Sequence, residues 1–477
     1  MQARKPGVTF WAQLGFAAWT NCIGGGTEDE IISGCWAKGL PEVIKGEKVA
    51  ESKWYKNFRL LDGTGADKND QAMEVASDGC IVDVLAGADM PESGVDAIDL
   101  KGATLLPGLI DVHVHTQLDP DGADLMSLGE DPSYYTLLGA KAARNLLVAG
   151  VTTARDLGGI GFGDIALRDA IARGVIPGPR LLVSGKVLTM TGGHGWPIGA
   201  EVDGCDEVRK AARLNFKKGA DNLKMMATGG VLTKGVHPWS ASLGFEELKA
   251  GFDEANKSGK ISAAHAQGVD GIINAVNAGV RTIEHGFWLN DEACELMLAK
   301  GCYFSATLSA VRRVYDLGKE KGIPDYVMDK IEGAMKSHQE SFKRAMKKGV
   351  AIICGTDAGT PYNYHGDTYY ELMLMHELGM SPMDCIVAAT QRAAEALRID
   401  HQVGTLKPGK FADMMVVEGD PLQDLSVLKN PTRVFKDGVE VDLSGLRAYE
   451  GRKEITDISQ ILLSAERFSK SQCICGI

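Results

Sequence analysis

The stretch LPGLIDVHVHTQLDP, residues 106–120, decides how this chain is read. An apolar run that ends on two histidines one residue apart reads as a buried strand. Alternate side chains along a strand share a face, so Asp111, His113 and His115 point one way while Val112 and Val114 point the other. Two imidazoles roughly 7 Å apart on one face can grip one ion. In a chain with ten histidines a lone HxH is also a chance pair, so other residues must decide. Asp111 reads as a structural carboxylate that holds a loop or a histidine in place.

Outward from this stretch, the same plan recurs. Apolar segments fall at 151–159, 180–188, 221–230, 260–268, 281–289, 302–310 and 350–359. Segments with helical spacing lie between them, such as DIALRDAIARGV and DEVRKAARLNFKKGA. With the first segment this makes eight βα units, which predicts a distorted (β/α)8 TIM barrel over residues 105–399. Short strand-like pieces with tight turns occupy 54–104 and return over 400–445, predicting a small β-sandwich domain built from N- and C-terminal segments. Residues 1–53 form an unpatterned N-terminal extension and 446–477 a C-terminal tail. In such barrels the chemistry sits where strands end. His113, His115, Lys224, His265, His285 and Asp357 all fall at predicted strand ends, on five different strands, which chance does not produce.

Composition narrows the classes. The net charge of −12, with no long lysine or arginine cluster, argues against nucleic acid as a partner. Ten scattered cysteines read as free thiols of a reducing compartment, so a cytoplasmic location is expected. Cys473 and Cys475 form a CxC with nothing nearby to complete four ligands. Arg4 and Lys5 precede a moderately apolar stretch, the outline of an export signal. Gln13 and Gly15 interrupt it, and no A-x-A site follows. No run approaches the roughly 18 apolar residues of a membrane span.

Each candidate has two readings. A lysine on a core strand is costly to bury as a cation, so Lys224 is either ion-paired or carboxylated into a metal-bridging anion. His265 in AAHAQG and His285 in IEHGF end successive strands, which beside an HxH favours ligands. Asp357 in CGTDAG is placed to touch a metal-bound water and take its proton.

The motifs LPGLIDVHVH, GVTTARDLGG, TGGHG, KMMATGGV, AAHAQG, TIEHG, GTDAG and GTLKPGKFADMMVV resemble the amidohydrolase superfamily over about residues 54–445. The likeness is to its imidazolonepropionase-like and Xaa-Pro dipeptidase-like branch, whose relatives include carboxypeptidases and ochratoxin-hydrolysing amidases. The resemblance implies two divalent ions, usually zinc. His113, His115 and Asp357 would hold one and His265 and His285 the other. Carboxylated Lys224 and a hydroxide would bridge them. Hydroxide attack would cleave an amide or peptide bond, with Asp357 passing the proton to the leaving amine. The expected substrates are Xaa-Pro or related dipeptides, or N-acyl amino acids, that release a C-terminal amino acid. The alternatives are a cyclic-amide hydrolase of the imidazolonepropionase type and a metal-free scaffold, which should have lost a ligand; none is missing.

Catalytic roles are also expected for His194 in TGGHG, near the substrate, and for Gln267. Relatives carry His or Tyr at the latter position; glutamine can donate a hydrogen bond but cannot shuttle a proton. Arg155 and Asp156 read as a supporting pair beneath the site. Lys234, His237, Tyr362, Tyr364 and His365 read as pocket walls or as solvated loop residues. A homo-oligomer is implied by the resemblance alone.

Overall fold

A computed structural model describes residues 52–448, apart from 92–94, 96 and 123–130. The N-terminal stretch with its signal-like outline, and the tail with Cys473 and Cys475, lie outside the described residues.

The described chain begins with strands β1 (Lys53–Leu61), β2 (Asp67–Val75), β3 (Ile81–Ala86), β4 (Ala97–Asp99) and β5 (Thr104–Pro107). Then come β6 (Leu109–Val114), β7 (Val151–Asp156), β8 (Arg180–Val183), β9 (Val187–Thr189), β10 (Gly199–Glu201), β11 (Asn222–Met226), β12 (Ile261–Ala266), β13 (Thr282–His285) and β14 (Tyr303–Ser305). Last are β15 (Met414–Val417), β16 (Arg433–Lys436) and β17 (Val439–Glu440).

The outer strands form one sheet in the order β17-β16-β15-β5-β1-β2-β3, with β4 against β1. The expectation of a β-sandwich needs one refinement. These strands are hydrogen-bonded into a single sheet, and it curls back so that Ile81 N donates to Lys410 O and Ala412 N to Gly79 O. Its two halves still share one core: the Tyr55 and Phe435 rings meet edge to face at 5.3 Å, among Phe58, Met73, Leu105 and Met414.

The inner strands run parallel in two sheets, β6-β7-β8 and β10-β9-β11-β12-β13-β14. Two strand expectations are corrected here. Segment 180–188 is not one strand: β8 pairs with β7, the chain breaks at Ser184–Lys186, and β9 joins the other sheet. Segment 350–359 forms only isolated bridges. It closes the barrel all the same, through Ile353 N to Phe304 O, Val112 N to Cys354 O and Asp357 N to His113 O. Strand β6 is buried along its whole length, as a parallel strand with both faces covered should be.

The connecting helices form where end charges and caps agree. Helix Cys205–Lys218 has Asp206 and Glu207 in its first turn, Lys217 and Lys218 in its last, and left-handed Gly219 as its cap. Two helices after β14, Leu308–Lys321 and Asp325–Lys348, pack on each other and carry Val311, Val314, Val327 and Ile331 into one apolar cluster with Val231 and Phe287. No helix among the described residues is long and apolar enough to cross a membrane.

Candidate metal centre

The six expected ligands come together at the strand ends. His113 Nε2 and His115 Nε2 each lie 3.3 Å from Asp357 Oδ1. Lys224 Nζ is 3.4 Å from His113 Nε2. Ring centroids of His113 and His285 are 5.1 Å apart, and those of His265 and His285 4.5 Å. Donor atoms of His113, His285 and Asp357 all fall within 4.8 Å of one another.

Local backbone aims these groups. Lys224, His113 and His265 follow from strand alternation on β11, β6 and β12. His285 does not, because Glu284 before it already faces the barrel interior. A left-handed φ of 75° at His285 turns its side chain into the site, and Asp357 has φ of 61°. Such backbone costs a non-glycine residue about 1–3 kcal/mol, and the surrounding fold must hold it.

The second ring nitrogens are occupied. His113 Nδ1 donates to Glu284 Oε2 at 2.9 Å, and His285 Nδ1 lies 2.8 Å from Thr307 Oγ1. His115 Nδ1 faces Gly158 O at 3.4 Å, and His265 Nε2 donates to Gly229 O at 2.9 Å. Each ring therefore keeps one nitrogen for the interior of the site. Burial drives His113 down to about 4 and holds His265 and His285 well below the ordinary imidazole range, so all three are neutral. Burial also lowers Lys224 to about 8. Burial alone would raise Asp357, but His113, His115 and Lys224 outweigh it and keep it ionised. Neutral imidazoles, a carboxylate and an amine of reduced basicity are a donor set that fits divalent metal ions.

A small cavity opens over this cluster. His194, His265, Gln267, His285, Thr307, Asp357 and Thr360 line one side. Val231, Leu232, Phe287, Ala310, Val311, Val314 and Ile331 line the other. His194 Nδ1 lies 2.8 Å from Thr233 Oγ1, and its ring sits so close to Gly230 that a Cβ there would come within 2.5 Å of it. Gln267 is buried, and its Oε1 has no hydrogen-bond partner.

Other expected residues fall elsewhere. Arg155 and Asp156 are both buried beside the candidate ligands, on opposite faces of β7. Arg155 Nη2 donates to Glu284 Oε1 at 2.8 Å, whereas Asp156 accepts from Thr116 N and Gly158 N. Asp111 is structural as read, accepting from Thr356 N, Thr356 Oγ1 and Thr368 Oγ1, and burial raises it to about 6. Lys234, His237, Tyr362, Tyr364 and His365 do not line the cavity. His365 lies behind the site, its Nε2 3.1 Å from His115 O; Tyr364 Oη donates to Asp121; His237 stacks on Trp239. Sequence reading missed Glu284, Thr307 and the apolar wall. The only signal for Glu284 was a charged residue inside an apolar strand.

Residues 104–441 match the amidohydrolase family. Ochratoxinase of Aspergillus niger is 32% identical over 416 residues, which span 80% of this chain and 84% of that protein. A solved Xaa-Pro dipeptidase with methionine bound in its active site has a TM-score of 0.77 at 33% identity, covering 82% of this chain and 100% of that one. A prolidase complexed with N-methylphosphonate-L-proline has a TM-score of 0.76 at 28% identity, covering 82% and 99%.

Proposed function

The chain belongs to the amidohydrolase family, hydrolases of amide C–N bonds, and from that premise we propose that it is a two-metal enzyme releasing a C-terminal amino acid from an N-acyl amino acid or a dipeptide such as Xaa-Pro. His113, His115 and Asp357 would hold one ion, His265 and His285 the other, and carboxylated Lys224 both. When bound, the ions, most simply zinc, supply Lewis acidity toward the scissile carbonyl and toward water.

The chain's own groups account for the rest. Asp357, kept ionised, accepts the proton of the attacking water and returns it to the leaving nitrogen. Gln267 offers an amide to the substrate beside His265; it can hydrogen-bond a carbonyl oxygen or an N–H but carries no proton to transfer. His194, with Nδ1 committed to Thr233, keeps Nε2 for a polar group of the substrate. The apolar wall excludes water and takes an uncharged group.

The observation that carries this reading is the cavity itself. Its polar lining includes His265, His285 and Asp357 of the cluster, and the rest of its lining is mostly apolar, without a lysine or arginine. An amide with a bulky uncharged group on one side of the scissile bond fits that asymmetry. The neighbours' printed names, ochratoxinase and Xaa-Pro dipeptidase, support amide substrates of this kind.

The test is an amine-release screen on zinc-loaded protein. The panel holds dipeptides and N-acyl amino acids across all C-terminal residues, with hydantoins and imidazolones beside them. Cleavage of linear amides with apolar groups is expected. Cleavage of the cyclic amides alone would overturn the reading in favour of the imidazolonepropionase type.

A further inference from the structure

We propose that Glu284, itself held by Arg155 and Thr282, is the positioning residue that fixes His113 as a metal ligand. The inference rests on the two-metal reading above and adds a residue outside the ligand set.

Both oxygens of Glu284 are engaged in hydrogen bonds within the fold. Its Oε2 accepts from His113 Nδ1 at 2.9 Å. Its Oε1 accepts from Arg155 Nη2 at 2.8 Å and Thr282 Oγ1 at 2.5 Å. Arg155 in turn donates from Nη1 to Thr282 Oγ1 at 3.1 Å and from Nε to Val112 O at 2.6 Å. Val112 is the chain neighbour of His113, so the hydrogen bonds form a closed circuit through β6, β7 and β13. Arg155, Thr282 and Glu284 have no exposed surface, so water does not compete for these bonds.

The circuit sets the state of one ligand. A carboxylate only accepts, so His113 must carry its proton on Nδ1, and the Nε2 lone pair is turned toward Asp357 and Lys224. The other site histidines face neutral oxygens, those of Gly158, Gly229 and Thr307. Among these outward-facing nitrogens, that of His113 is the one that meets a carboxylate. A carboxylate behind a ligating imidazole fixes its tautomer and raises its basicity, and loss of such a partner typically weakens metal binding about 10–100-fold.

The experiment compares the full-length wild type with Glu284→Gln and Thr282→Val. Zinc affinity is measured by competition with a chromophoric chelator. Melting of the metal-free forms and ¹⁵N-histidine spectra are recorded alongside. We expect Glu284→Gln to bind zinc about 10–100-fold more weakly, with the His113 tautomer moving toward the Nε2-protonated form. Thr282→Val should show a smaller loss in the same direction. A wild type that takes up no zinc would overturn the metal reading itself. A wild type that binds zinc, with unchanged affinity and tautomer in Glu284→Gln, would overturn only the positioning role. If Glu284→Gln does not fold, Thr282→Val decides: weaker zinc binding supports the role, and wild-type affinity overturns it.

Discussion

Glu284 and Glu371 are both buried, at 0% and 1% exposure, yet the protein treats them in opposite ways. Burial would raise the pKa of Glu284. The Arg155 guanidinium and the His113 hydrogen bond overcome it and hold the carboxyl well below the usual carboxylate range. Glu371, on the helix Thr368–Glu377, accepts from Leu308 N and Ser309 N at the start of the helix that carries the apolar wall. Burial, helped by the nearby Asp111 carboxylate, outweighs these bonds and pushes it up to about 7. The carboxylate behind His113 is thus a fixed, compensated charge, while the one that anchors the wall helix is raised toward neutrality. Rigidity suits the side that must present lone pairs at fixed points. The wall needs only shape and dryness.

The largest effects should fall on the metal side. The double variant His113→Ala, His115→Ala should lower kcat/KM at least about 1,000-fold, with zinc content reduced on the same sample. Full activity in it would break the assignment of the two histidines. Next, Arg155→Leu leaves Glu284 as a buried, unpaired charge and should cost about 3–5 kcal/mol in denaturant unfolding. A cost within experimental error would show that the charge is compensated elsewhere.

Smaller effects should come from the wall. Val314 is 2% exposed and lines the cavity, so Val314→Ala should change KM about 10-fold for substrates with bulky apolar groups and leave metal content alone. Equal changes for large and small substrates would mean that the wall is packing and not recognition. The smallest effect is on pH dependence. The folded pKa of Glu371 lies above its ordinary 4.5, so its contribution to stability is complete below that pH and is lost as pH rises to about 7. Melting curves of the wild type and Glu371→Gln should therefore converge or cross between these values, with the variant gaining relative to the wild type as pH rises. A difference constant with pH would remove the contrast with Glu284.

The candidate ligand cluster was legible in sequence because its members fall at the ends of recognisable strands. His113, His115 and His265 end short runs of β-branched or small apolar residues, and period-2 alternation assigns their faces without any knowledge of partners. Arg155 was visible as a charge on a core strand, but its partner Glu284 stands 129 residues away and could not be named from the sequence. Segment 350–359 reads as a strand from its composition, yet it makes only scattered bridges because it must turn left-handed at Asp357 to present the carboxylate.

The sequence by itself therefore determined the alternation of strands and helices, the strand-end histidines and aspartate, and through them the family. These are local, periodic signals. Only the tertiary structure decided that His285 turns inward, that the barrel breaks at Ser184–Lys186, and that two helices after β14 raise an apolar wall over the site. It also brought a glutamate 171 residues away in the chain against His113 Nδ1. Contacts between groups so far apart in the chain leave no repeating pattern, and packing alone selects them.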